Sequence, residues 1–328
     1  MKIKNFLLFI IPFIIFCDFQ TESKQKFALI NFDHLRHLTE SVQTEDGWEF
    51  DIVHIYAEYP DYERTVAAGE GIACIDDAAR AAVIYLRHFE LSGDTASLLD
   101  AKALLEFCRY MQAEDGQFYN FIHDDYTINR TGRTSRKSFD PWAARAVWAL
   151  GNGYRIFKEV DPLYADTLKM HLEHSFEQIE LMLQNYPETV SVAGFDIPQW
   201  LIHQNAADAT AEMMLGLIDY VKASDDSVVL GYLKKLADGL LKMQIQDTTS
   251  AAYGAFLSWQ NIWHGWGNCQ SQALAELYRI DPDQRYPDAV LRETNYFYEY
   301  WRTKGYPNSI TFFKKDTVRI KYMQQFEQ

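Results

Sequence analysis

Four segments rich in small residues recur along this chain at intervals of about 60 to 65 residues. They are IDDAARAAVIYL from 75, DPWAARAVWALGNGY from 140, NAADATAEMMLGLIDY from 205 and GNCQSQALAELYRI from 267. Each has apolar residues at helical spacing, and small side chains allow helices to approach one another closely. A repeat of this length predicts stacked helical units rather than a series of unrelated domains.

A longer and more charged amphipathic segment follows each of these four. The segments are TASLLDAKALLEFCRYMQ, PLYADTLKMHLEHSFEQIELML, VVLGYLKKLADGLLKMQ and YPDAVLRETNYFYEYWR. Two of them end in related turns, MQAEDGQFYNF at 111 and MQIQDTTSAAYGAF at 243. The pattern predicts an all-α fold, an α/α toroid of helical hairpins, complete or incomplete, with the small-residue helices inside and the charged helices outside. An open helical solenoid is the structural alternative.

The segments before the first repeat are less regular. FALINFDHLRHLTESV predicts a first helix over about 27 to 42, whereas 47 to 74 is predicted to be irregular. No convincing alternation of period two, the mark of strands, is visible. The predicted organisation is a signal peptide over 1–17, a linker over 18–26 and a single toroid domain over 27–328.

The N-terminus has the features of an export signal. Lys2 and Lys4 precede an apolar run from Phe6 to Phe16, which is too short to span a bilayer but fits a signal-peptide core. Cys17 follows and resembles the lipidated cysteine of a bacterial lipoprotein, although that pattern has a small residue where this chain has Phe16. The expected location is the cell envelope, with a lipid on Cys17 as membrane anchor; secretion with Cys17 in the discarded peptide is the alternative.

Composition excludes several classes of function. The formal net charge of −15 argues against a nucleic-acid partner, which would need an electropositive surface. The nine His and four Cys show no metal-ligand spacing, so no metal and no cofactor are predicted. Lipidation of Cys17 would leave three cysteines, so no complete disulfide framework is implied. The 8 Trp, 20 Tyr and 21 Phe are typical of proteins that stack sugar rings, and an oligosaccharide or polysaccharide is the expected partner.

In a toroid the inner helices direct one set of ends towards a common region, so residues at their starts are expected to converge. The predicted site comprises Asp76, Asp77, Arg80, Asp140, Trp142, Arg145, Asn205, Asp208, Glu212, Trp266, Asn268 and Gln270. Asp77 and Asp140 are the predicted catalytic pair, one carboxyl donating a proton and the other directing water. The alternative is structural, because Asp and Asn are preferred helix caps and complement the helix dipole.

Two loops are expected to add substrate contacts beside these starts. GFDIPQWLIHQN from 194 supplies Trp200 and His203, and HGWGN from 264 supplies His264 and Trp266. Core packing is the alternative for Trp200. A third loop, 119–139, contains His123 and four cations, Arg130, Arg133, Arg136 and Lys137. Arginines pair well with carboxylates, so this loop predicts a preference for acidic sugars such as uronates, with a solvated loop as the alternative.

A family resemblance rests on IDDAARAAV from 75 and FDPWAARAVWALG from 139. These motifs resemble the DDxARA and RAxWALG patterns of bacterial toroidal domains found with carbohydrate-active proteins, and the hairpin ends resemble those of six-hairpin glycosidases and terpene cyclases. Unsaturated glucuronyl hydrolases also have functional Asp residues at consecutive inner-helix starts, and this similarity implies such roles for Asp77 and Asp140.

The resulting functional hypothesis is a glycoside hydrolase of the cell envelope that acts on an oligosaccharide, including one that contains a uronate. A polysaccharide lyase and a non-catalytic carbohydrate-binding lipoprotein are the alternatives. Terpene-cyclase chemistry is disfavoured, because Arg80 stands where a further Asp would follow Asp76 and Asp77.

Overall fold

The computed structural model describes residues 30–314 and 317–322. The predicted signal peptide (1–17), the linker (18–26) and Cys17 lie outside the described residues. Across the ranges that are described, the structure has no helix of the length and apolar character needed to cross a bilayer.

The elements follow one another as helical hairpins joined by short strands. In chain order they are α1 (Asp33–Leu38), β1 (Thr39–Gln43), β2 (Glu49–Val53), β3 (Tyr56–Glu58), β4 (Glu63–Thr65), β5 (Ala73–Cys74), α2 (Ile75–Ser92), α3 (Thr95–Tyr110), β6 (Phe121–Ile122), α4 (Pro141–Val160), α5 (Pro162–His174), α6 (Phe176–Leu183), β7 (Thr189–Val192), β8 (Phe195–Pro198), α7 (Ile202–Asn205), α8 (Ala207–Ser224), α9 (Ser227–Lys242), β9 (Ile262–His264), α10 (Gln270–Tyr278), α11 (Arg285–Arg292), a π-helix (Glu293–Tyr298), α12 (Glu299–Lys304), β10 (Pro307–Lys314) and β11 (Thr317–Tyr322).

The predicted inner layer is formed by α2, α4, α8 and α10, each of which packs against the next. Each inner helix is followed by an outer helix that packs back against it: α3, α5, α9 and α11 respectively. The predicted α/α toroid of helical hairpins is therefore confirmed. Its core lies between the two layers, where the buried face of each outer helix meets the inner helices.

The closest approach within the inner layer is between α4 and α8. A Cβ atom added to Gly151 would lie 2.1 Å from the carbonyl oxygen of Gly216, and one added to Gly216 would lie 2.3 Å from that of Val147. The two backbones are therefore in contact, and neither glycine position has room for a side chain. This contact explains why the recurring segments are rich in small residues.

Inner and outer helices begin differently. The outer helices α3, α5 and α9 are capped by Asp94, Asp161 and Asp226, whose carboxylates accept hydrogen bonds from backbone N–H groups of the first turn. None of the four inner helices has a side-chain cap hydrogen bond. The acidic residues at the inner starts are thus not used as caps, unlike the equivalent residues of the outer layer.

The N-terminal region differs from the prediction. Instead of a helix over 27–42, α1 covers only Asp33–Leu38, and β1 follows and pairs antiparallel with β2. Val42, Phe50 and Ile52 are buried on this hairpin, which packs against α3. The segment 47–74, predicted to be irregular, contains the β3–β4 hairpin as well as β2 and β5.

Two further departures lie in the outer layer and at the C-terminus. The second outer segment is divided at Ser175 into α5 and α6, and the last one is divided by the π-helix. The residues after Gly305 form the β10–β11 hairpin, and β10 also pairs with β9 beside the fourth inner helix. The remaining pairs, β5–β6 and β7–β8, are separate two-stranded sheets.

Candidate functional site

A buried ion-pair cluster links three consecutive inner helices close to their N-terminal ends. Arg145 of α4 pairs with Asp76 of α2, and its Nε lies 2.9 Å from Oε2 of Glu212 in α8. The side chain of Glu212 is 4% exposed and that of Arg145 is 18% exposed. The inner-helix starts therefore converge as predicted, and we call the residues at these starts the central site.

Two residues of this cluster have perturbed protonation. Burial raises the pKa of Glu212 to about 7, and Asp208 adds to this effect while Arg145 opposes it. Burial lowers the pKa of Arg145, but Asp76 and Glu212 raise it by more, so Arg145 is fixed as a cation. Glu212 is thus a carboxyl group that can hold a proton close to neutral pH, as a general acid must.

Two His–Asp pairs connect the same helix starts in a repeated pattern. His203, before α8, pairs through Nδ1 with Asp140, before α4. His264, before α10, places Nε2 3.1 Å from Oδ2 of Asp208, in the first turn of α8. In each pair, a histidine preceding one inner helix contacts an aspartate at the start of the preceding inner helix.

The second ring nitrogen of each histidine is not used by its aspartate. Nδ1 of His264 is buried and has no hydrogen-bond partner among the described residues. His203 binds Asp140 through Nδ1, and its side chain is 37% exposed. A carboxylate that holds one imidazole nitrogen orients the ring. His203 is therefore the histidine placed for proton transfer, because its side chain is partly exposed whereas Nδ1 of His264 is buried.

Neither predicted catalytic aspartate stands alone. Asp77 accepts a hydrogen bond of 2.6 Å from Arg80 and one of 3.4 Å from the thiol of Cys74. Asp140 binds His203 and accepts a 2.7 Å hydrogen bond from Ser138. Since neither side chain caps its helix, the capping alternative does not account for them. Asp140 is placed to orient a histidine, and Asp77 is a partly exposed carboxylate in the first turn of α2.

The loop before α10 places an aromatic surface at this site. Trp266 stacks on His264 with ring centroids 4.0 Å apart and planes 10° apart, and it is 55% exposed. Asn268 donates to the backbone oxygen of His264 at 2.6 Å and accepts from Ser258. Trp266 therefore offers a flat surface to a ligand, whereas Asn268 holds the loop that carries His264.

Two predicted substrate-binding tryptophans lie in the core. Trp200 is fully buried and donates from Nε1 to the backbone oxygen of Lys235 at 2.8 Å. Trp142 is 9% exposed and donates to the backbone oxygen of Phe118 at 2.9 Å. The structure thus replaces the predicted ligand contacts of Trp142 and Trp200 with packing, because both indole N–H groups are satisfied inside the protein. Gln270 is buried as well.

The loop 119–139 adjoins the central site, since the backbone oxygen of Asn120 accepts from Ile75 N at the start of α2. Its cations are not equivalent. Lys137 binds Asp115 at 2.7 Å and Arg130 binds Tyr119, whereas Arg133 and Arg136 are exposed and make no ion pair with any described residue. His123 is also exposed on this loop.

Glu212 is the residue whose importance the sequence conceals most. It was one of several polar residues at the helix starts, but it is a lone acid within the apolar stretch ATAEMMLG. An ionisable residue among small and apolar neighbours is the signal that identifies it. In the described residues, no three or more His, Cys, Asp or Glu side chains are arranged to hold a metal ion.

Comparisons with known proteins identify the fold. No protein-family model matches the sequence, and no curated protein matches it. The cellobiose 2-epimerase from Bacillus thermoamylovorans superposes with a TM-score of 0.58 at 12% sequence identity, covering 92% of this chain and 76% of that chain. The cellobiose 2-epimerase from Spirochaeta thermophila gives a TM-score of 0.56 at 11% identity, covering 90% and 73%.

A third similar structure is the glycoside hydrolase family 76 α-mannanase from Bacteroides thetaiotaomicron. It gives a TM-score of 0.53 at 11% identity and covers 89% of this chain and 72% of that chain. All three have the six-hairpin glycosidase-like fold. At this level of identity the likeness shows the α/α toroid and leaves the chemistry to the residues of this chain.

Proposed function

We propose that the central site is the active site of a carbohydrate-processing enzyme that works by acid–base catalysis. One observation carries the proposal: a protonatable Glu212 and two His–Asp pairs meet where the inner helices begin. A buried carboxyl group whose surroundings raise its pKa is typical of acid–base sites. The exposed Trp266 beside His264 adds a stacking surface that suits a pyranose ring.

The reaction that we propose first is hydrolysis of a glycosidic bond. Glu212 donates a proton to the departing oxygen, because burial raises its pKa to about 7. His203, held by Asp140, accepts a proton from the attacking water through its second ring nitrogen. Asp140 thus becomes a positioning residue for the base rather than one of two equal carboxylates.

The experiment is incubation with a panel of oligosaccharides, followed by mass spectrometry and measurement of new reducing ends. A new reducing end that is absent with Glu212→Gln supports hydrolysis. An unsaturated product with a new absorbance band identifies a lyase instead. Saturable binding with no product from any member of the panel overturns the enzymatic proposal in favour of a carbohydrate-binding protein.

Epimerisation or isomerisation of a reducing sugar is the second candidate, favoured by the two histidines. Such a reaction needs proton transfer at carbon, for which a pair of oriented imidazoles is well suited. Two of the superposed structures are cellobiose 2-epimerases by name. Incubation of reducing disaccharides in D₂O distinguishes the candidates, because epimerisation incorporates deuterium at carbon without releasing a monosaccharide.

We also propose that the protein is anchored in the cell envelope through a lipid on Cys17. This location would give the central site access to glycans outside the cell. Metabolic labelling with a fatty-acid probe should label the parent chain and direct it to the membrane fraction. Cys17→Ser should be unlabelled and leave that fraction, and Cys269→Ser serves as the control. Equal labelling of Cys17→Ser and parent would exclude the anchor.

A further inference from the structure

Three neighbouring cavities in the outer wall of the toroid share lining residues, and we call them together the groove. The first, of about 490 Å³, is lined by Tyr186 and by residues of α9 and α11. The second, of about 310 Å³, shares Lys242 and Gln246 with the first. The third, of about 160 Å³, shares Asp247 and Ser250 with the second.

The first cavity combines a tyrosine ring with an ion pair. Tyr186 is 36% exposed and packs edge-on against Trp200, with centroids 5.1 Å apart. Its hydroxyl donates to Asp238 at 3.0 Å, and Arg285 donates to the other oxygen of Asp238 at 2.8 Å. An aromatic surface beside a fixed carboxylate and guanidinium offers both a stacking face and hydrogen-bonding groups to a sugar.

The rest of the groove continues the same combination. Phe195, packed edge-on against Phe312, lines the second cavity. Trp301 lines the third, and its Nε1 is buried without a hydrogen-bond partner among the described residues. The hydroxyls of Thr249 and Ser250 lie along the same wall. Aromatic and polar groups therefore alternate from one end of the groove to the other.

The charges of the groove nearly balance. The acids are Asp196, Asp238, Asp247 and Asp288, and the bases are Lys242, Arg285 and Arg292. A strongly anionic or cationic ligand would gain little from such a surface, since attraction to one sign is offset by repulsion from the other. The groove therefore favours an uncharged ligand with many hydroxyl groups.

We propose that this groove is a second binding site, separate from the central site, for an extended chain of neutral sugars. Ligand cavities commonly measure about 300 to 1,000 Å³, and the first two cavities each lie in this range. The groove lies where α9 ends, at the same end of the hairpin where α8 begins. A glycan held here is therefore on the side of the toroid that carries the central site. The proposal does not depend on which reaction, if any, that site performs.

The experiment is native electrophoresis of the protein through gels that contain single polysaccharides. Hydroxyethylcellulose, galactomannan, xyloglucan and starch are the neutral probes, and alginate and polygalacturonate are the acidic ones. We expect at least one neutral probe to retard the parent. Tyr186→Ala should weaken that binding at least about tenfold, because it removes the aromatic surface of the first cavity.

Matched variants make the result specific. Tyr278→Ala removes a tyrosine of similar exposure outside the groove and should be retarded like the parent. Lys242→Ala with Gln246→Ala changes two exposed residues at the junction of the cavities, without touching the core, and should also weaken binding. Trp266→Ala removes the exposed stacking surface of the central site and should be retarded like the parent, so binding in the central site and binding in the groove are distinguishable.

Three outcomes overturn the proposal. The first is that no neutral polysaccharide retards the parent. The second is that Tyr186→Ala and the double variant at Lys242 and Gln246 both migrate like the parent. The third is that Trp266→Ala alone loses retardation, which would place the binding in the central site.

Discussion

Glu212 occupies the sixth position of an inner helix, surrounded by small and apolar residues that exclude water. Arg145 bridges it to Asp76, so the three helices that supply these residues are held at one end by a shared ion pair. Burying such a group costs stability unless its charge is compensated or neutralised by a proton. Glu212 has both forms of compensation available, because Arg145 balances its charge and its raised pKa allows it to hold a proton near neutral pH. A group that changes between these two forms near neutral pH is suited to proton transfer.

The first prediction concerns the pH dependence of stability. The pKa of Glu212 rises from 4.5 in the unfolded reference to about 7 in the folded protein. As pH rises, the unfolded chain therefore loses this proton before the folded protein does. The contribution of protonated Glu212 to the free energy of unfolding is full below about pH 4.5 and is lost as pH rises through about 7. Between pH 5 and pH 8, the free energy of unfolding of the parent should fall by up to about 3 kcal/mol relative to that of Glu212→Gln. Urea unfolding at the two pH values measures this difference.

A control of opposite sign is available at Glu276. Burial raises its pKa, but the hydrogen bond from Lys222 and the nearby arginines lower it by more. Its contribution is present above the unfolded pKa and disappears as pH falls through the lower folded value. The free energy of unfolding of the parent should therefore not fall relative to that of Glu276→Gln between pH 5 and pH 8. A difference in free energy of unfolding between the parent and Glu212→Gln that stays constant from pH 5 to pH 8 would contradict the raised pKa of Glu212.

The second prediction separates catalysis from folding at Asp140 and Asp77. Neither side chain caps its helix, so conversion to Asn should change the free energy of unfolding by at most about 1 kcal/mol. Asp140→Asn should lower kcat by roughly 100-fold, because an amide cannot stabilise the protonated His203. His203→Gln should be impaired to a similar extent, and the double variant should be little worse than either single variant.

Asp94→Asn provides the comparison, since Asp94 caps an outer helix at the opposite end of the 18-residue α2 from Asp76 and Asp77. It should leave kcat unchanged. Additive losses in Asp140→Asn with His203→Gln would show that the two residues do not act as one unit. Near-parental rates in both Asp variants would leave Glu212 and His264 as the only supported acid–base groups.

At the scale of elements, the inner layer depends on contact between helix backbones. Gly151 of α4 and Gly216 of α8 face each other. At each position the backbone of the opposite helix occupies the space that a Cβ atom would need. This contact brings Arg145 and Glu212, on the same two helices, within ion-pair distance. The geometry of the central site is therefore set by two glycines that have no chemical role of their own.

The third prediction tests this contact with matched alanine substitutions. Gly216→Ala should destabilise the protein by about 2 to 4 kcal/mol, because its Cβ would overlap the backbone of α4. Gly231→Ala lies in the outer helix α9 with no atom near its added Cβ, and it should stabilise by up to about 1 kcal/mol through helix propensity. Thermal and urea unfolding measure both. Equal effects of the two substitutions would show that the backbones can separate without cost.

The helical hairpins were predictable because each carries a periodic apolar pattern within its own sequence. The strands were not, because each is only two to eight residues long, and two of the pairings, β5 with β6 and β9 with β10, join residues far apart in the sequence. Residues at the helix starts were identified individually, but their pairing was not. Which histidine reaches Asp140 depends on the rotation of one helix against the next, and this is decided by contacts such as that of Gly151 with Gly216. The burial of Trp200 depends on its surroundings in the same way.

At the scale of the whole molecule, a net charge of −15 should repel acidic glycans. The loop 119–139 offers a local exception beside the central site. Lys137 is already neutralised by Asp115, whereas Arg133 and Arg136 are exposed and make no ion pair with any described residue. We infer that Arg133 and Arg136, and not Lys137, attract anionic glycans to this site.

The fourth prediction follows from this division of the cations. Replacing both Arg133 and Arg136 with Gln should weaken binding of uronate-containing oligosaccharides at least about tenfold at low ionic strength, and the difference should shrink as salt approaches 1 M, where screening acts over about 3 Å. Binding of neutral oligosaccharides should not change.

Lys137→Gln is the matched control, and it should have little effect because the charge of Lys137 is paired within the protein. Isothermal titration at two salt concentrations measures all three. An equal loss for neutral and uronate ligands would assign the arginines to the structure of the loop, and an effect of Lys137→Gln as large as that of the double variant would assign the preference to total charge.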